Sequence, residues 1–425
     1  MDNFEKLGID PPVLKIIKKQ GLVEPTEIQV KSIPLGLEGK DIVAMSATGS
    51  GKTLVFATIL IHNIDRERDI QAVILTPTRE LTEQVARAVR GFAKSKKLEV
   101  AEIIGGVAMG PQVSKLKTAD IVVGTPGRVL DHLTRRTMRL NSVKVLILDE
   151  ADRMFDMGFI RDVEKIMGYC PYNKQTMLFS ATINDAVMRL SEKHMHKPVT
   201  VSVQNFVDPS KLKQVYYEVD KGLKFSLLVH LIKAEKRGLV MVFCNTRRTV
   251  DFVQKNLAAN GVEAHALHGG MPQNKRSKVI KDFHSNTVHV LVCTDVAARG
   301  LDIKGVEHIY NYNLPRDPTD YIHRIGRTAR AGEAGKAISL LIAEEHTEFR
   351  GVVNKTNVKI EEIEAPEVQR ADVKRLKPTG RSGYGGRPGG RPMGRGKPSG
   401  SKRKHDQTRS YSPKHSPQRR SKPRR

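Results

Sequence analysis

The sequence has few of the residues that mark secreted, zinc-bound or membrane-spanning proteins. Its 425 residues include no Trp and three Cys, at positions 170, 244 and 293. Thiols this sparse and unpatterned indicate neither a disulfide framework nor a zinc site, and they favour a reducing, intracellular setting. No apolar run approaches the length of a membrane span, and the N-terminal residues lack the apolar core of a signal peptide. From these absences we expect a cytoplasmic protein without a membrane partner.

Acidic residues are also scarce relative to basic ones. The chain has 72 Lys and Arg against 46 Asp and Glu, a net charge of +26. Residues 375–425 hold 17 of the basic residues and one acid, Asp406, so they contribute +16 and leave about +10 for the rest. This imbalance favours a polyanionic partner, nucleic acid before membrane. Because Trp is absent, base stacking would depend on Phe, Tyr or Arg.

Short apolar runs alternate with helical patterns along most of the chain. Each run ends in small, polar or charged residues, which predicts parallel α/β sheets with helices on both faces. This alternation of strand and helix patterns stops at residues 204–210 and resumes after them, which indicates a linker between two similar domains. From residue 378 on, Gly, Arg, Pro and Ser dominate, as is typical of disordered segments. We therefore predict a first domain over residues 1–204, a linker over 205–212, a second domain over 213–365 and a tail over 366–425.

A glycine-rich loop follows the first predicted strand, residues 41–45. Residues 46–53 (SATGSGKT) stand between that strand and an apolar helical run, which is the context that a phosphate-binding loop requires. In such a loop backbone N–H groups cradle phosphates, Lys52 reaches the β- and γ-phosphates, and the Thr53 hydroxyl holds Mg²⁺. Ser46 stands where the general pattern has its first glycine. A glycine-rich turn with an incidental lysine is the alternative interpretation.

Three carboxylates within four residues follow the apolar run at residues 143–148. Asp149, Glu150 and Asp152 thus stand at the end of a predicted strand, where open α/β sheets place their ligands. Crowded carboxylates repel one another unless a cation or a phosphate-bound metal neutralises them. Alone, such a cluster is more often a solvated turn. Together with the phosphate loop it predicts a site for a nucleotide and Mg²⁺.

The order of these and further motifs resembles the DEAD-box family of ATP-dependent RNA helicases, from about Phe4 to Ile363. The matching segments are residues 25–29 (PTEIQ), 46–53, 77–81 (PTREL), 105–106 (GG), 125–128 (TPGR), 149–152 (DEAD), 180–182 (SAT), 242–246 (VFCNT), 273–276 (QNKR), 294–302 and 323–330 (HRIGRTAR). Leu22 departs from a common aromatic residue and Ala329 from a common glycine. The resemblance implies two tandem RecA-like domains, each a doubly wound parallel sheet, and a disordered basic C-terminal tail.

The resemblance also implies roles around ATP. Asp149 is expected to hold Mg²⁺ through water and Glu150 to activate the attacking water. Arg327 and Arg330 share a helix face because they are three residues apart, and they would act as arginine fingers rather than as an ordinary basic face. The implied ATP-binding residues are Phe4, Gln29, Thr48, Gly49, Ser50, Gly51, Lys52, Thr53 and Asp302, with Gln29 selecting adenine and Asp302 contacting the ribose. The implied coupling residues, which make hydrolysis wait for domain closure, are Asp152, Ser180, Thr182 and His323.

The remaining motifs are implied to contact RNA. Glycines let a backbone approach phosphates closely, and hydroxyls and guanidinium groups donate hydrogen bonds to them. The implied contacts are Thr78, Arg79, Gly105, Gly106, Thr125, Gly127, Arg128, Arg247, Arg276 and Thr294. None of these groups reads bases, so we expect sequence-independent binding through phosphates and 2′-hydroxyls.

The sequence leaves more than one function open. The main prediction is an RNA-dependent ATPase that locally unwinds or remodels short RNA duplexes or RNA–protein complexes. The alternative is an ATP-gated RNA clamp or annealing scaffold in which turnover is incidental. A DNA helicase of the same plan is disfavoured by Gln29 and by residues 149–152. We expect a monomer, with ribosome-assembly or RNA-degradation proteins as the candidate protein partners.

Overall fold

A computed structural model describes residues 3–46, 49–203, 211–235, 238–298, 303, 305–329, 334–356 and 359–374. The chain divides into two units, residues 1–376 and 377–425, and the second unit lies outside the described residues. The predicted linker around residues 204–210 and most of the predicted tail lie outside them as well. The described residues of the first unit form two seven-stranded sheets.

The first sheet is parallel throughout, with strand order β3-β4-β2-β5-β6-β1-β7. Its strands are β1 (Ile42–Met45), β2 (Ala72–Leu75), β3 (Val100–Ile103), β4 (Ile121–Gly124), β5 (Val145–Leu148), β6 (Gln175–Ser180) and β7 (Val199–Ser202). The helices of this domain are α1 (Pro11–Lys19), α2 (Glu27–Leu37), α3 (Lys52–Asn63), α4 (Arg79–Ala93), α5 (Met109–Leu116), α6 (Pro126–Thr134), α7 (Ala151–Asp156), α8 (Ile160–Tyr169) and α9 (Asp185–His194). Short 3₁₀ helices span Phe4–Leu7 and Lys94–Lys96.

The second sheet repeats the plan with strand order β10-β11-β9-β12-β13-β8-β14 and only parallel pairs. Its strands are β8 (Leu212–Glu218), β9 (Leu239–Phe243), β10 (Ala264–Leu267), β11 (Val290–Cys293), β12 (Val306–Asn311), β13 (Gly335–Leu341) and β14 (Glu361–Glu362). Its helices are α10 (Lys224–Ala234), α11 (Arg247–Ala259), α12 (Gln273–His284), α13 (Asp295–Ala298), α14 (Pro318–Ile325) and α15 (His346–Thr356), with a 3₁₀ helix at Ala343–Glu345.

Both faces of each sheet are buried along its central strands. Along β1, Ile42 and Ala44 pack into one apolar cluster and Val43 into another on the opposite face, because successive side chains of a strand alternate. Two further clusters cover the faces of the second sheet. Burial on both faces explains why β2, β4 and β5 are continuously apolar. The predicted doubly wound parallel architecture is confirmed.

The strand register gathers the sequence motifs at one edge of each sheet. Met45 is opposite Ser180, and Leu148 is opposite both Leu75 and Leu178. The loops that follow β1, β2, β5 and β6 therefore leave the sheet side by side. In the second sheet, Phe243 at the end of β9 is opposite Cys293 of β11 in the same way.

The predicted strands at residues 41–45 and 143–148 are present as β1 and β5, which begin one and two residues later, but the two edge strands β7 and β14 were not predicted. The sequence of β7 alternates Val with Thr and Ser, since one of its faces is exposed, and β14 has only two residues. The end of the described segment 366–374, predicted as the start of the tail, contacts the C-terminal part of α11. Backbone groups of Asp372 and Lys374 bond there to the side chains of Asn260 and Asn256. Among the residues described, no helix combines the length and the apolar character that crossing a bilayer requires.

Candidate active site

The phosphate loop joins β1 to α3, and its glycines have backbone conformations that other residues avoid. Gly49 has φ 87° and Gly51 has φ 93°, both in the left-handed region. Gly51 directly precedes α3, so the loop ends at a helix N-terminus, where free N–H groups and the helix dipole favour a phosphate. Lys52 is 7% exposed, and its Nζ lies 3.4 Å from the Ser46 carbonyl oxygen and 3.8 Å from Asp149 Oδ1.

Asp149 lies at the end of β5 and carries a buried oxygen, Oδ1, that Lys52 Nζ approaches only to 3.8 Å. Among the described residues this oxygen has no hydrogen-bond partner, and neither do the side-chain hydroxyls of Ser46 and Ser50. Burial raises the pKa of Asp149 to about 6, opposed by Lys52 and reinforced by Glu150. A buried carboxylate without a partner is unfavourable unless a cation neutralises it. The Asp149 carboxylate and the serine hydroxyls, with Thr53 as the second residue of α3, form a set of oxygen donors that fits Mg²⁺ bound together with a nucleoside triphosphate.

Glu150 has a strained backbone. Its φ of 53° and ψ of 54° are left-handed, a conformation that costs a non-glycine residue roughly 1–3 kcal/mol and tends to occur at functional sites. The N–H groups of Arg153 and Met154 donate to its carbonyl oxygen at 3.0 and 3.2 Å, which fixes the turn into α7. The side chain is thereby placed beside Asp149, and the residue is only 6% exposed.

Asp152 connects this turn to the loop after β6. Its Oδ2 accepts hydrogen bonds from the backbone N–H of Thr182 at 3.2 Å and from the Thr182 hydroxyl at 3.1 Å. The Ser180 hydroxyl accepts from the Asp152 N–H at 3.2 Å and donates to the Thr182 carbonyl at 2.7 Å. Three of the four predicted coupling residues therefore form one buried network. For the fourth, His323, the contact with Asp152 stays a prediction.

The PTEIQ segment is fastened directly to the phosphate loop. Gln29 accepts a hydrogen bond from the Thr26 N–H at 2.9 Å and donates from Nε2 to the Gly51 carbonyl at 3.2 Å. The Thr26 hydroxyl donates to the Ser50 carbonyl at 2.8 Å. A Cβ on Gly51 would lie 2.4 Å from Gln29 Nε2, so this contact requires glycine. Through these hydrogen bonds, a movement of the phosphate loop is coupled to the position of Gln29.

The other residues predicted to contact the nucleotide lie in the core of the first domain, just beyond α14, or outside the described residues. Phe4 is 3% exposed and packs in the core of the first domain, so its contact with the nucleotide stays a prediction. Thr48, Asp302 and Arg330 lie outside the described residues. Arg327 lies just beyond α14 and is 4% exposed, so the prediction that it belongs to a helix face is wrong, because the helix ends at Ile325.

Arg324 anchors the segment that carries Arg327, a role that the sequence did not suggest. It is 1% exposed and makes a bidentate pair with Asp295, with Nε–Oδ1 at 2.5 Å and Nη2–Oδ2 at 2.7 Å. Its other hydrogen bonds go to Asn245, Asn311 and the Asn313 carbonyl. These partners follow or end β9 and β12, and Asp295 follows β11. One guanidinium group thus fixes α14 to three strand ends, and charge-assisted pairs of this geometry are strong.

A buried ion pair joins the two domains beside the acidic cluster. Arg153 Nη1 in α7 lies 2.9 Å from Asp320 Oδ1 in α14, and the two side chains are 5% and 18% exposed. The same Asp320 oxygen is 3.9 Å from His323 Nδ1. Arg153 directly follows Asp152 in sequence. This ion pair therefore connects the helix that carries Asp152 with the helix that precedes Arg327.

A second set of interdomain contacts lies on the side of the RNA motifs. Oε1 of Glu80 accepts from Arg276 Nε at 2.9 Å and Nη2 at 2.8 Å, and from Gln273 Nε2 at 3.3 Å. Arg79 Nη1 in turn donates to Gln273 Oε1 at 3.3 Å. Arg79 and Arg276, both predicted to bind RNA, thus also connect α4 with α12. Sequence reasoning missed Glu80, Arg153 and Asp320 as functional residues, because their partners are more than 160 positions away.

The other predicted RNA contacts lie at the carboxyl edges of the sheets. Thr78 caps α4, since its hydroxyl accepts from the Leu81 N–H at 3.3 Å. A Cβ on Gly106 would lie 2.1 Å from Arg79 Nη1, which shows how closely the guanidinium group crosses this glycine. The remaining first-domain residues are Gly105 after β3, and Thr125, Gly127 and Arg128 at the start of α6. In the second domain Arg247 opens α11 and Thr294 follows β11. Their contacts with RNA stay predictions.

Comparison with known proteins identifies similar sequences along most of the chain. The family model for DEAD/DEAH box helicase matches residues 26–190, and that for Helicase conserved C-terminal domain matches residues 223–332. The chain is 42% identical to the ATP-dependent RNA helicase CshA of Listeria monocytogenes over 369 residues, which cover 86% of this chain and 71% of that protein.

Solved structures have the same architecture. S. cerevisiae Dbp5 bound to RNA and ADP BeF3 matches with a TM-score of 0.79 at 32% identity, covering 86% of this chain and 96% of that one. A DEAD box protein from Methanococcus jannaschii is more similar in sequence, at 42% identity over 85% of this chain and 99% of that one, but its TM-score is 0.52.

Proposed function

This chain belongs to the DEAD/DEAH box family of ATP-dependent RNA helicases, and we propose that it opens short RNA duplexes locally by closing its two RecA-like domains on one strand. The same domain closure would also displace a protein that is bound to that RNA strand. The observation that carries the proposal is the buried pair of Lys52 and Asp149, 3.8 Å apart. The Arg153–Asp320 ion pair joins this site to the helix that precedes Arg327.

Each residue proposed for the ATP site either neutralises charge or positions a reacting group. Lys52 would bind the β- and γ-phosphates, and Thr53 and Asp149 would hold Mg²⁺, which neutralises phosphate charge when bound. Glu150 would accept a proton from the attacking water. Arg327 and Arg330 would stabilise the charge that develops on the γ-phosphate.

Closure is the step that makes hydrolysis depend on RNA. Asp152 bonds to Thr182 on one side, and its neighbour Arg153 pairs with Asp320 of the second domain on the other. Glu80 and Arg276 join the domains where RNA is expected. RNA that spans both carboxyl edges would favour the closed arrangement, and with it the arginine fingers would reach ATP. The contacts proposed for RNA involve its backbone, so sequence should matter little.

The proposal predicts which nucleic acids stimulate turnover. Single-stranded RNA should raise the rate of ATP hydrolysis, whereas DNA of the same sequence should not, because the 2′-hydroxyl is among the recognised groups. A fluorescent duplex of about ten base pairs should separate in the presence of ATP, while a much longer one should persist, since closure acts on one short segment. Stimulation by DNA would contradict RNA specificity. Duplex annealing or retention without ATP-dependent separation would favour the clamp or scaffold.

We propose the domain division 1–204, 205–212, 213–365 and 366–425, with a basic tail that gives RNA a second, electrostatic contact. Because residues 372 and 374 are fastened to α11, deletion of residues 378–425 should leave the folded part intact. RNA-stimulated hydrolysis should persist at saturating RNA, but RNA affinity should fall. The slope of log affinity against log salt should decrease by roughly 0.7 for each phosphate that the tail no longer neutralises. A salt titration of both proteins measures this, and superimposable slopes would mean that the tail does not bind RNA.

The cellular setting is proposed on similar grounds. We propose a cytoplasmic monomer that works with ribosome-assembly or RNA-degradation proteins. The three thiols are free, and burial raises the pKa of Cys170 to about 12 and that of Cys244 and Cys293 well above the ordinary range. Thiols of this kind are inert structural residues, as expected of a protein in a reducing compartment.

A further inference from the structure

A cleft lies at the amino ends of four neighbouring strands of the first sheet. Its cavity volume is about 830 Å³, and its walls come from residues at or near the starts of β1, β5, β6 and β7. Because the strands are parallel, this edge is opposite the one that carries the phosphate loop and the RNA motifs. A four-residue strand spans roughly 13 Å. The cleft is therefore separate from the active site, and none of the roles proposed above involves it.

The lining is strongly basic. Lys40, Lys144, Lys174 and Lys197 contribute four positive charges, and we call this region the lysine cleft. Nearby carboxylates pair with two of them, Glu38 with Lys40 at 2.7 Å and Glu67 with Lys144 at 3.2 Å.

The other two lysines are not neutralised by a carboxylate among the described residues. Lys174 is only 8% exposed, and its ammonium group donates to the Pro171 carbonyl at 3.4 Å. Buried lysines are normally paired. Lys197 is exposed and has a left-handed backbone, with φ 42°. Both positions offer positive charge that an anion can use.

The single acidic residue of the lining is already engaged. Asp41 is 4% exposed, and its two oxygens accept hydrogen bonds from the backbone N–H groups of Thr176 and His196, each at 2.7 Å. These bonds tie the start of β1 to β6 and to the segment before β7. The carboxylate thus serves the fold and does not project against a bound anion. The lining residues have a net charge of +3, which becomes +1 when the paired Glu38 and Glu67 are counted.

An exposed aromatic ring stands at the cleft. Tyr172 is 83% exposed, and its ring packs edge-on against His196, with centroids 4.4 Å apart and planes at 75°. The contact orients the ring while leaving most of its surface open to solvent. Lysines that follow a backbone, combined with an aromatic ring on which a base stacks, are the usual elements of a single-strand binding surface.

We propose that the lysine cleft binds single-stranded RNA extending beyond the segment held at the carboxyl edges. Lysine ammonium groups contact phosphates, and Tyr172 stacks on one base. An acidic protein segment would use the charges but leave the ring unengaged, whereas RNA uses both. The inference rests on the proposed function, because RNA already held by the domain is presented to the cleft at high local concentration. It adds a site that distinguishes long single strands from short ones.

The test compares RNA lengths with the full chain. The triple variant Lys40→Gln, Lys197→Gln and Tyr172→Ala removes two charges and the ring. A matched control, Lys15→Gln, Lys19→Gln and Val23→Ala, removes two exposed lysines and an exposed apolar side chain of the same domain outside the cleft. For an oligouridine of about 40 nucleotides we expect roughly tenfold weaker binding of the triple variant, because stacking on one aromatic ring is worth about 1–3 kcal/mol. The salt slope should fall by about 0.7 to 1.4, because Lys197 no longer neutralises a phosphate and Lys40 must leave Glu38 to do so.

The short probe separates this proposal from the proposed function. An oligouridine of about 10 nucleotides should bind wild type, triple variant and control within about twofold of one another. Wild-type affinity of the triple variant for the long RNA overturns the cleft proposal, as does an equal loss on both lengths. Absence of short-RNA binding by the wild type contradicts the proposed function instead.

Crosslinking gives a direct readout of the same site. Long RNA containing 4-thiouridine should crosslink to the peptide with Tyr172 under ultraviolet light, and the short RNA should not. Polyglutamate that binds the wild type but not the triple variant, with no crosslink from long RNA, would overturn the proposal in favour of an acidic protein.

Discussion

In the Glu150→Gln variant we expect ATP hydrolysis to fall by about 10²–10⁴-fold, the usual contribution of a general base, while ATP and RNA still bind. Glutamine has the same shape and the same left-handed backbone cost as glutamate, so the strained turn into α7 should be retained. Only the ability to accept a proton is removed. The closed complex with ATP and RNA should therefore persist, and its dissociation should be slower than that of the wild type.

Asp149→Asn is the informative comparison. This substitution removes the proposed Mg²⁺ ligand one position earlier, so it should weaken binding of Mg–ATP, which the Glu150 variant should not. Fluorescent-nucleotide titration, RNA-stimulated turnover and RNA dissociation in excess ATP measure the three quantities. Hydrolysis by Glu150→Gln within a few fold of wild type would show that Glu150 is not the base.

Loss of an arginine finger should have an effect of similar size but a different character. In Arg327→Ala we expect RNA-stimulated turnover to fall on the order of 10³-fold, which corresponds to about 4 kcal/mol of barrier. ATP affinity should change little, because the charge that the guanidinium stabilises develops only in the transition state. The same expectation applies to Arg330→Ala. Single-turnover hydrolysis measured separately from nucleotide binding distinguishes the two effects.

Controls are needed because Arg327 is buried. Arg327→Lys keeps a positive charge but loses the planar fork, so it should recover only part of the rate. Arg350→Ala removes an exposed arginine of α15 and should leave turnover unchanged. Thermal unfolding of each variant shows whether the second domain is intact. Weakened ATP binding with a normal rate constant would contradict the finger assignment.

Much of the fold and of the site follows from local patterns in the sequence. The phosphate loop depends on a few consecutive residues, and Gly49 and Gly51 do have the positive φ values that the motif requires. Strand ends followed by polar residues identify the working edge, because all strands of a parallel sheet end there. The network of Asp152 and Thr182 was likewise predictable, but only through the family resemblance, since nothing local pairs residues 30 apart.

Side-chain pairs between distant segments were not predictable. Arg153 and Asp320 are separated by 167 positions, and each resembles a solvated charge when seen alone. Arg324 resembles one more basic residue of a basic helix, yet it is among the most buried side chains. The backbone conformation of Ala329 bears on its departure from the family pattern. Its φ of 53° is left-handed, which explains physically why the family commonly has glycine there and why the departure carries a local cost.

The pairing of β1 with β6 and β7 also determines when, during synthesis of the chain, the phosphate loop can reach its folded position. The Ser46 N–H donates to the Ser180 carbonyl at 3.0 Å, and β1 is hydrogen-bonded on its other side to Val199–Ser202. The nascent chain therefore cannot hold its phosphate loop in place until about 150 further residues have left the ribosome, a delay of roughly 8–30 s at ordinary elongation rates. Until β6 has emerged, the apolar β1 has neither of its neighbours in the sheet.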